Sequence, residues 1–292
     1  VIVSAYEGPD DLRAMQELCS RIWSPGSRWH VGDLAWGRFQ HTGREPGWPT
    51  RLWRDGGRTV AWGWIDLPGS LDLAVDPARP ELARQVLEWF ARTAPAGPLD
   101  VTVLDTETHL AAALREAGYR PAGDGPFFRH LVRDLAGPAE PVPPQGYRLR
   151  AVGETDVPGR VAAHRAAFHP SRVSEESYRA VRAAWPYRAG LDLVAVAPDG
   201  EVAAYCLVWL DEARRVAEIE PTGTLPAHRR RGLARAVCLA ALRAAREAGA
   251  ERAVVYARGD DAYPAPGRLY RSIGFRPAAR TVTWVRDRPG GA

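Results

Sequence analysis

Arg229-Arg230-Arg231-Gly232-Leu233-Ala234 joins a strand-like run, Arg215 to Leu225, to a helix-like run, Gly232 to Gly249. In the first run Val216, Ile219 and Leu225 are apolar, while Pro221 and Gly223 interrupt the pattern. In the second, Leu233, Val237, Cys238, Ala241, Leu242 and Ala245 recur at spacings of three and four, so they share one helix face. Arg235, Arg243 and Arg246 take the opposite face, and Gly249 is placed to end the helix. A strand, a glycine turn and a helix start together make an anion site. The first amides of a helix have no internal partner, and the helix dipole adds positive charge there. Gly232 and the small Ala234 let the backbone approach an anion closely, and three arginines add full charge. Taken alone, the stretch also reads as an ordinary arginine-rich helix start.

Further on stands Leu269-Tyr270-Arg271-Ser272-Ile273-Gly274-Phe275. Arg229-x-x-Gly232-x-Ala234, with Pro226 three residues before Arg229, resembles the coenzyme-binding motif of the GNAT N-acyltransferase superfamily, Arg/Gln-x-x-Gly-x-Gly/Ala. The second stretch is similar to that family's Leu-Tyr-x-x-x-Gly-Phe signature. The resemblance covers roughly residues 145 to 287. It implies transfer of an acetyl group from acetyl-CoA to an amine by direct attack in a ternary complex. It also implies a pyrophosphate held by the amides of Arg230, Arg231, Gly232, Leu233 and Ala234 with Arg229 at the mouth, and a thioester oxygen held by amides near Thr224 and Leu225. Tyr270 matches the position whose hydroxyl faces the coenzyme sulfur, which makes it the general acid; a buried packing tyrosine is the plainer alternative. One departure stands out: Tyr263 and Pro266 occupy the places of an asparagine and an alanine that the family often carries.

For the base, strand alternation puts Glu218 and Glu220 on one face, flanking Ile219. Two close carboxyls hold one pKa up, toward a useful base. Pro221 and Gly223 suit a bulge that opens the strand at this point. Glu220, nearest the break, is the first choice and Glu218 the second; both also fit a solvent-facing strand edge.

Composition narrows the classes. All 39 basic residues are arginine and there is no lysine, so the net charge is only +4 and carries no long basic tract. Nucleic acid is therefore not an expected partner. No apolar run approaches the ~20 residues that span a bilayer, and no leader pattern is read at the start, so a cytoplasmic protein without a membrane partner is expected. Cys19, Cys206 and Cys238 have neither disulfide nor metal spacing and read as reduced core thiols, with no metal cofactor.

The order of elements runs twice. Strand, helices, a three-strand meander, helix, strand, helix and strand occupy residues 1 to 135. A proline-rich linker follows at 136–146, and the same order restarts over 147–292. Gly118-Tyr119-Arg120-Pro121-Ala122 parallels Gly274-Phe275-Arg276-Pro277-Ala278, and Asp76-Pro77 parallels Leu225-Pro226. The expected fold is α/β (α+β): two tandem GNAT-like domains, each a mixed, mostly antiparallel sheet flanked by helices, in an arrangement similar to that of mycothiol synthases. After Pro77 the first half lacks the glycine motif and brings Glu81 instead, so it is expected not to bind acetyl-CoA. It holds eight of the eleven tryptophans, for packing, for the interface between halves or for an acceptor pocket. The partner expected is a small-molecule amine (antibiotic, metabolite or peptide), on a monomer or homodimer. The alternative is a non-catalytic module that senses acetyl-CoA or binds a protein.

Overall fold

The computed structural model describes residues 1–123, 125–137 and 139–287. Pro138 of the linker and residues 288–292 of the second segment lie outside the described residues.

The first segment builds β1 (Ile2–Ala5), α1 (Pro9–Ile22), α2 (Val31–Phe39), β2 (Thr50–Asp55), β3 (Arg58–Asp66), β4 (Ser70–Val75), α3 (Glu81–Thr93), β5 (Leu99–Leu104), α4 (Thr108–Glu116), β6 (Arg120–Pro121) and β7 (Phe128–Asp134). The second builds β8 (Arg148–Ala151), α5 (Val157–Ala167), α6 (Glu175–Ala183), β9 (Asp192–Val196), β10 (Val202–Asp211), β11 (Val216–Thr224), α7 (Leu233–Glu247), β12 (Arg252–Arg258), α8 (Ala265–Ser272) and β13 (Arg276–Arg286). The expected α/β class with a mostly antiparallel sheet is what the structure shows. Among the described residues only β4 with β5 and β11 with β12 pair in parallel.

The two segments do not close separate sheets. The strands form one sheet in the order β1-β2-β3-β4-β5-β13-β7-β12-β11-β10-β9-β8, with β6 paired to β13. Each segment's last strand thus crosses over: β7 pairs with β12, and β13 pairs with β5 as well as β7. The sequence halves 1–135 and 147–292 therefore differ from the spatial halves by one strand each. The cores explain the exchange. Trp284 of β13 is 3% exposed within the first half's core, beside Val101 and Tyr119. Leu131 of β7 is buried in the second half's core, beside Val255 and Phe275. Each crossing strand carries an apolar side chain into the other half, and pairing follows that burial rather than chain order.

α2 ties the first half to the second half's meander. Ala35 and Trp36 join Val161, Tyr178, Leu207 and Trp209 in one buried cluster. Gly32 faces the Trp209 side chain so closely that a Cβ there would lie inside its van der Waals envelope. Gly32→Ala is expected to destabilise the protein by about 1–3 kcal/mol through overpacking, read as a lower urea midpoint with an unchanged slope.

Candidate functional site

The arginine-glycine stretch forms the turn between β11 and α7. Gly232, the N-cap residue of α7, has φ +82°, in the left-handed region that a side chain disfavours. Arg230 also has a positive φ, of 65°. The first helical bond of α7 runs from the Ala236 amide to the Gly232 carbonyl. Among the described residues the amides of Arg231, Gly232, Leu233, Ala234 and Arg235 therefore donate to nothing. Arg229, Arg230 and Arg231 are exposed and none of them has a carboxylate partner among the described residues. Arg231 leans on the Tyr147 hydroxyl at 2.9 Å, and the Arg229 Nε lies 3.4 Å from the Thr224 carbonyl. The Leu233 side chain is in the core at 1% exposure, so only its amide faces the turn. This donor set fits a di-anion such as a pyrophosphate.

β11 and β12 pair only from Val216 with Arg252 to Glu218 with Val254, and then part. Between Cys206/Thr222 and Val208/Ile219 the register with β10 shifts by one residue, so β11 carries an extra residue around Glu220 and Pro221. This is the expected bulge, and it reverses the alternation. Ile219 packs in the core beside α7 residues, and after the bulge it is Thr222 that meets α7, its Oγ1 3.5 Å from Cys238 Sγ. The result is a wedge opening between β11 and β12 toward the arginine turn.

The oxygen-binding expectation needs one correction. The Leu225 amide already donates to the Ala203 carbonyl at 2.9 Å, so it is not free to hold a thioester oxygen. An antiparallel ladder alternates bonded and non-bonded pairs. With Leu225 bonded to β10, Thr224 and Thr222 turn their amides the other way, into the wedge. The Thr224 Oγ1 is buried without a hydrogen-bond partner among the described residues.

Glu218 and Glu220 face α2 of the first half. Burial, reinforced by the charge of Asp33, pushes Glu220 up to about 8. Glu218 is 1% exposed, and burial with the Glu220 charge holds it well above the carboxylate range. His30 Nδ1 lies 3.2 Å from Glu218 Oε2. That nitrogen already accepts from the Gly32 amide at 3.1 Å, and Nε2 faces the Val216 carbonyl at 3.2 Å. The ring is thus the neutral tautomer with its proton on Nε2, and burial keeps its pKa low. Burial and Glu218 likewise raise Asp33 well above its ordinary value. His30 and Asp33 are site residues that sequence reasoning missed. Their only local signal is a capping box, His30 before Val31 with the Asp33 carboxylate accepting from the His30 amide at 2.8 Å, and that pattern announces a helix start and nothing more.

Tyr270, on α8, is 5% exposed, with its ring edge-on to Phe275 at 5.8 Å. Its hydroxyl makes no hydrogen bond among the described residues. Burial raises its pKa, and Cys238, Cys206, Glu220 and Tyr205 surround it electrostatically, which places it by the same wedge as Glu220. All three cysteines are free and buried. His164, set aside as structural on sequence grounds, has its Nδ1 2.8 Å from the Tyr205 hydroxyl and stacks on Phe168. Burial and then Arg160 hold it down to about 3, so it stays neutral.

The first half offers the matching opening, and it is filled. β4 and β5 pair only at Ser70 with Asp100 and Leu71 with Val101. Directly beyond, Arg28 donates to the Thr102 carbonyl and pairs with Asp72 at 3.0 Å, while Trp29 Nε1 donates to the Leu73 carbonyl at 2.8 Å. The following turn is closed as well: Arg79 pairs with Asp55 and Glu81, and Pro80 has no amide to offer. No hydrogen bond crosses the β11–β12 wedge in the same way among the described residues.

The model of the GNAT acetyltransferase family matches residues 160–275. No curated protein matches the chain. Among solved structures, a GCN5-related N-acetyltransferase from Sphaerobacter thermophilus is similar at 21% identity and a TM-score of 0.64, over 99% of this chain and 96% of that one. A tandem GNAT protein from the clavulanic acid biosynthesis pathway aligns at 19% identity and 0.65, over 99% of both chains. An acetyltransferase of the GNAT family from Colwellia psychrerythraea aligns at 13% identity and 0.64, over 98% and 99%. At these identities the likeness is one of fold, and it extends over both halves.

Proposed function

Residues 160–275 form a GNAT acetyltransferase domain, and on that premise we propose that the protein is an acetyl-CoA-dependent N-acetyltransferase of a small-molecule primary amine, with its one working site in the second half. The observation that supports this most is the pairing of an open wedge with an unpartnered anion turn at its mouth. In the first half the equivalent wedge is bridged by Arg28 and Trp29 and the equivalent turn is closed.

The amides from Arg231 to Ala234, with Arg229 and Arg230, hold the pyrophosphate of acetyl-CoA. The Thr224 and Thr222 amides face the thioester oxygen and stabilise the charge that develops on it. Glu220, ionised, takes a proton from the acceptor nitrogen, whose lone pair then forms the new C–N bond. Tyr270 gives its proton to the departing sulfur as the C–S bond breaks. Glu218, its pKa raised by burial and by the Glu220 charge, lies beside it.

Calorimetric titration with acetyl-CoA tests this reading. One site per chain is expected. In Gly232→Glu the affinity is expected to fall about 100-fold or more, because a carboxylate enters the phosphate position. A Cβ at Gly232 meets no atom within 4 Å, so the variant's own cost is only the left-handed backbone, about 1–2 kcal/mol. Two sites would refute a closed first half, and no binding at millimolar acetyl-CoA would refute the enzyme.

A further inference from the structure

Tyr147 is the first residue after the proline-rich linker, and its hydroxyl lies 2.9 Å from Arg231 Nη1. The same hydroxyl lies 2.8 Å from His228 Nδ1, and His228 Nε2 lies 2.8 Å from Glu201 Oε2. Hydrogen-bond chemistry sets each role in this chain. A guanidinium can only donate, so the Tyr147 oxygen accepts from Arg231 and gives its own proton to His228 Nδ1. Nδ1 is then an acceptor, so His228 is the tautomer protonated on Nε2, and it donates to the Glu201 carboxylate. The inner members are held by packing as well. Tyr147 is buried in the second half's core, and its ring meets the His228 ring edge-on at 5.8 Å.

Exposed arginines elsewhere are held by carboxylates: Arg215 by Glu251 at 2.6 Å and Arg243 by Glu247 at 3.0 Å. A carboxylate orients a guanidinium but cancels its charge. A phenol orients it and leaves the charge whole. Arg231 is thus a fixed, uncompensated cation at the arginine turn, and a side chain ordered before its ligand arrives loses less entropy on binding. The network lies on the β10 side of β11, because Glu201 leads directly into β10, whereas the wedge opens on the β12 side. A ligand that lies in the wedge and lays a phosphate on the turn meets Arg231 at the turn's far side.

We propose that the Arg231 guanidinium binds a phosphate of acetyl-CoA, the pyrophosphate or the ribose 3′-phosphate, and that Tyr147, His228 and Glu201 are positioning residues that hold it there. Tyr147 acts on Arg231 directly. His228 acts by keeping the Tyr147 proton turned away from Arg231, and Glu201 by fixing the His228 tautomer. This inference rests on the acetyltransferase reading.

The test is a double-mutant cycle, read by calorimetric titration of the full chain with acetyl-CoA. Arg231→Ala is expected to raise Kd about tenfold or more, through loss of a charge-assisted hydrogen bond to phosphate. Tyr147→Phe keeps the buried ring and is expected to raise Kd about fivefold, but less than about twofold when residue 231 is already alanine. A tyrosine that only packed would cost the same in both backgrounds. His228→Asn keeps an acceptor near the place of Nδ1 and is expected to stay within about twofold of the wild type, whereas His228→Leu should match Tyr147→Phe. With acetyl-dephospho-CoA the effect of Arg231→Ala vanishes if its partner is the 3′-phosphate and persists if it is the pyrophosphate. An unchanged Kd in Arg231→Ala, or equal losses from Tyr147→Phe in both backgrounds, overturns the proposal alone. Should Tyr147→Phe fail to fold, the two His228 variants decide, and equal Kd values for them overturn it. Absence of acetyl-CoA binding by the wild type overturns the acetyltransferase reading and this proposal with it.

Discussion

Glu220→Gln is expected to lower kcat/KM for the amine by about 100-fold to 1,000-fold, the range of a lost general base, and to abolish its dependence on pH near 8. Burial sets the sign. With its carboxyl pushed up to about 8, Glu220 is mostly protonated at neutral pH and becomes a base as pH rises. In the wild type kcat/KM should climb about tenfold per pH unit below 8 and level off above it. Gln has no such limb. Stability moves the opposite way. A carboxyl whose folded pKa lies above its unfolded one favours the fold fully below about 4.5, and that contribution is lost as pH rises through 8. Glu220→Gln escapes this loss, so its melting temperature should exceed that of the wild type above pH 8. A variant with unaltered rate and an unaltered pH limb would remove Glu220 from the chemistry and leave Glu218 or water as base.

Tyr270→Phe is expected to cut kcat for thiol release by about 100-fold or more while the affinity for acetyl-CoA barely moves. The hydroxyl has no partner to lose among the described residues, and Phe keeps the edge contact with Phe275, so folding should be nearly unaffected. The phenol's pKa is raised by burial, so it stays a proton donor across the working pH range and adds no limb of its own. Full activity in the variant would make Tyr270 a packing residue. The measurement also separates the enzyme from a coenzyme-binding module. Such a module, which the exposed Tyr263 in place of the family's asparagine keeps in view, would show acetyl-CoA binding without amine-dependent thiol release in either form.

Much of this site was legible in residues close together in the chain. The Arg229–Ala234 turn depends on one glycine conformation and on the first turn of the helix that follows, and both are local. The bulge came from Pro221 and Gly223, two residues that weaken a regular ladder. The repeated element order and the matching words at Gly118 and Gly274 marked the duplication, and both glycines have positive φ, 80° and 92°. Tyr270 came from a motif within one helix and turn.

What stayed hidden depends on partners distant in sequence. Strand periodicity says which face of β7 and β13 is apolar, but not which core receives it. The exchange was settled by Trp284 and Leu131 finding burial across the halves. The Leu225 amide looked free until β10 lay beside it and took it up at Ala203. Arg28 and Trp29 are unremarkable loop residues until β4 and β5 part in front of them. Asp33 and Glu218, 185 positions apart in the numbering, become one desolvated acid cluster only when Gly32 lets α2 settle on Trp209. By itself, the sequence determined the elements, their repetition and the anion turn, because helix and strand periods and glycine conformations act over a few residues. The tertiary structure alone decided which wedge is open and which charges lack partners, because burial and charge compensation are sums over neighbours that only folding assembles.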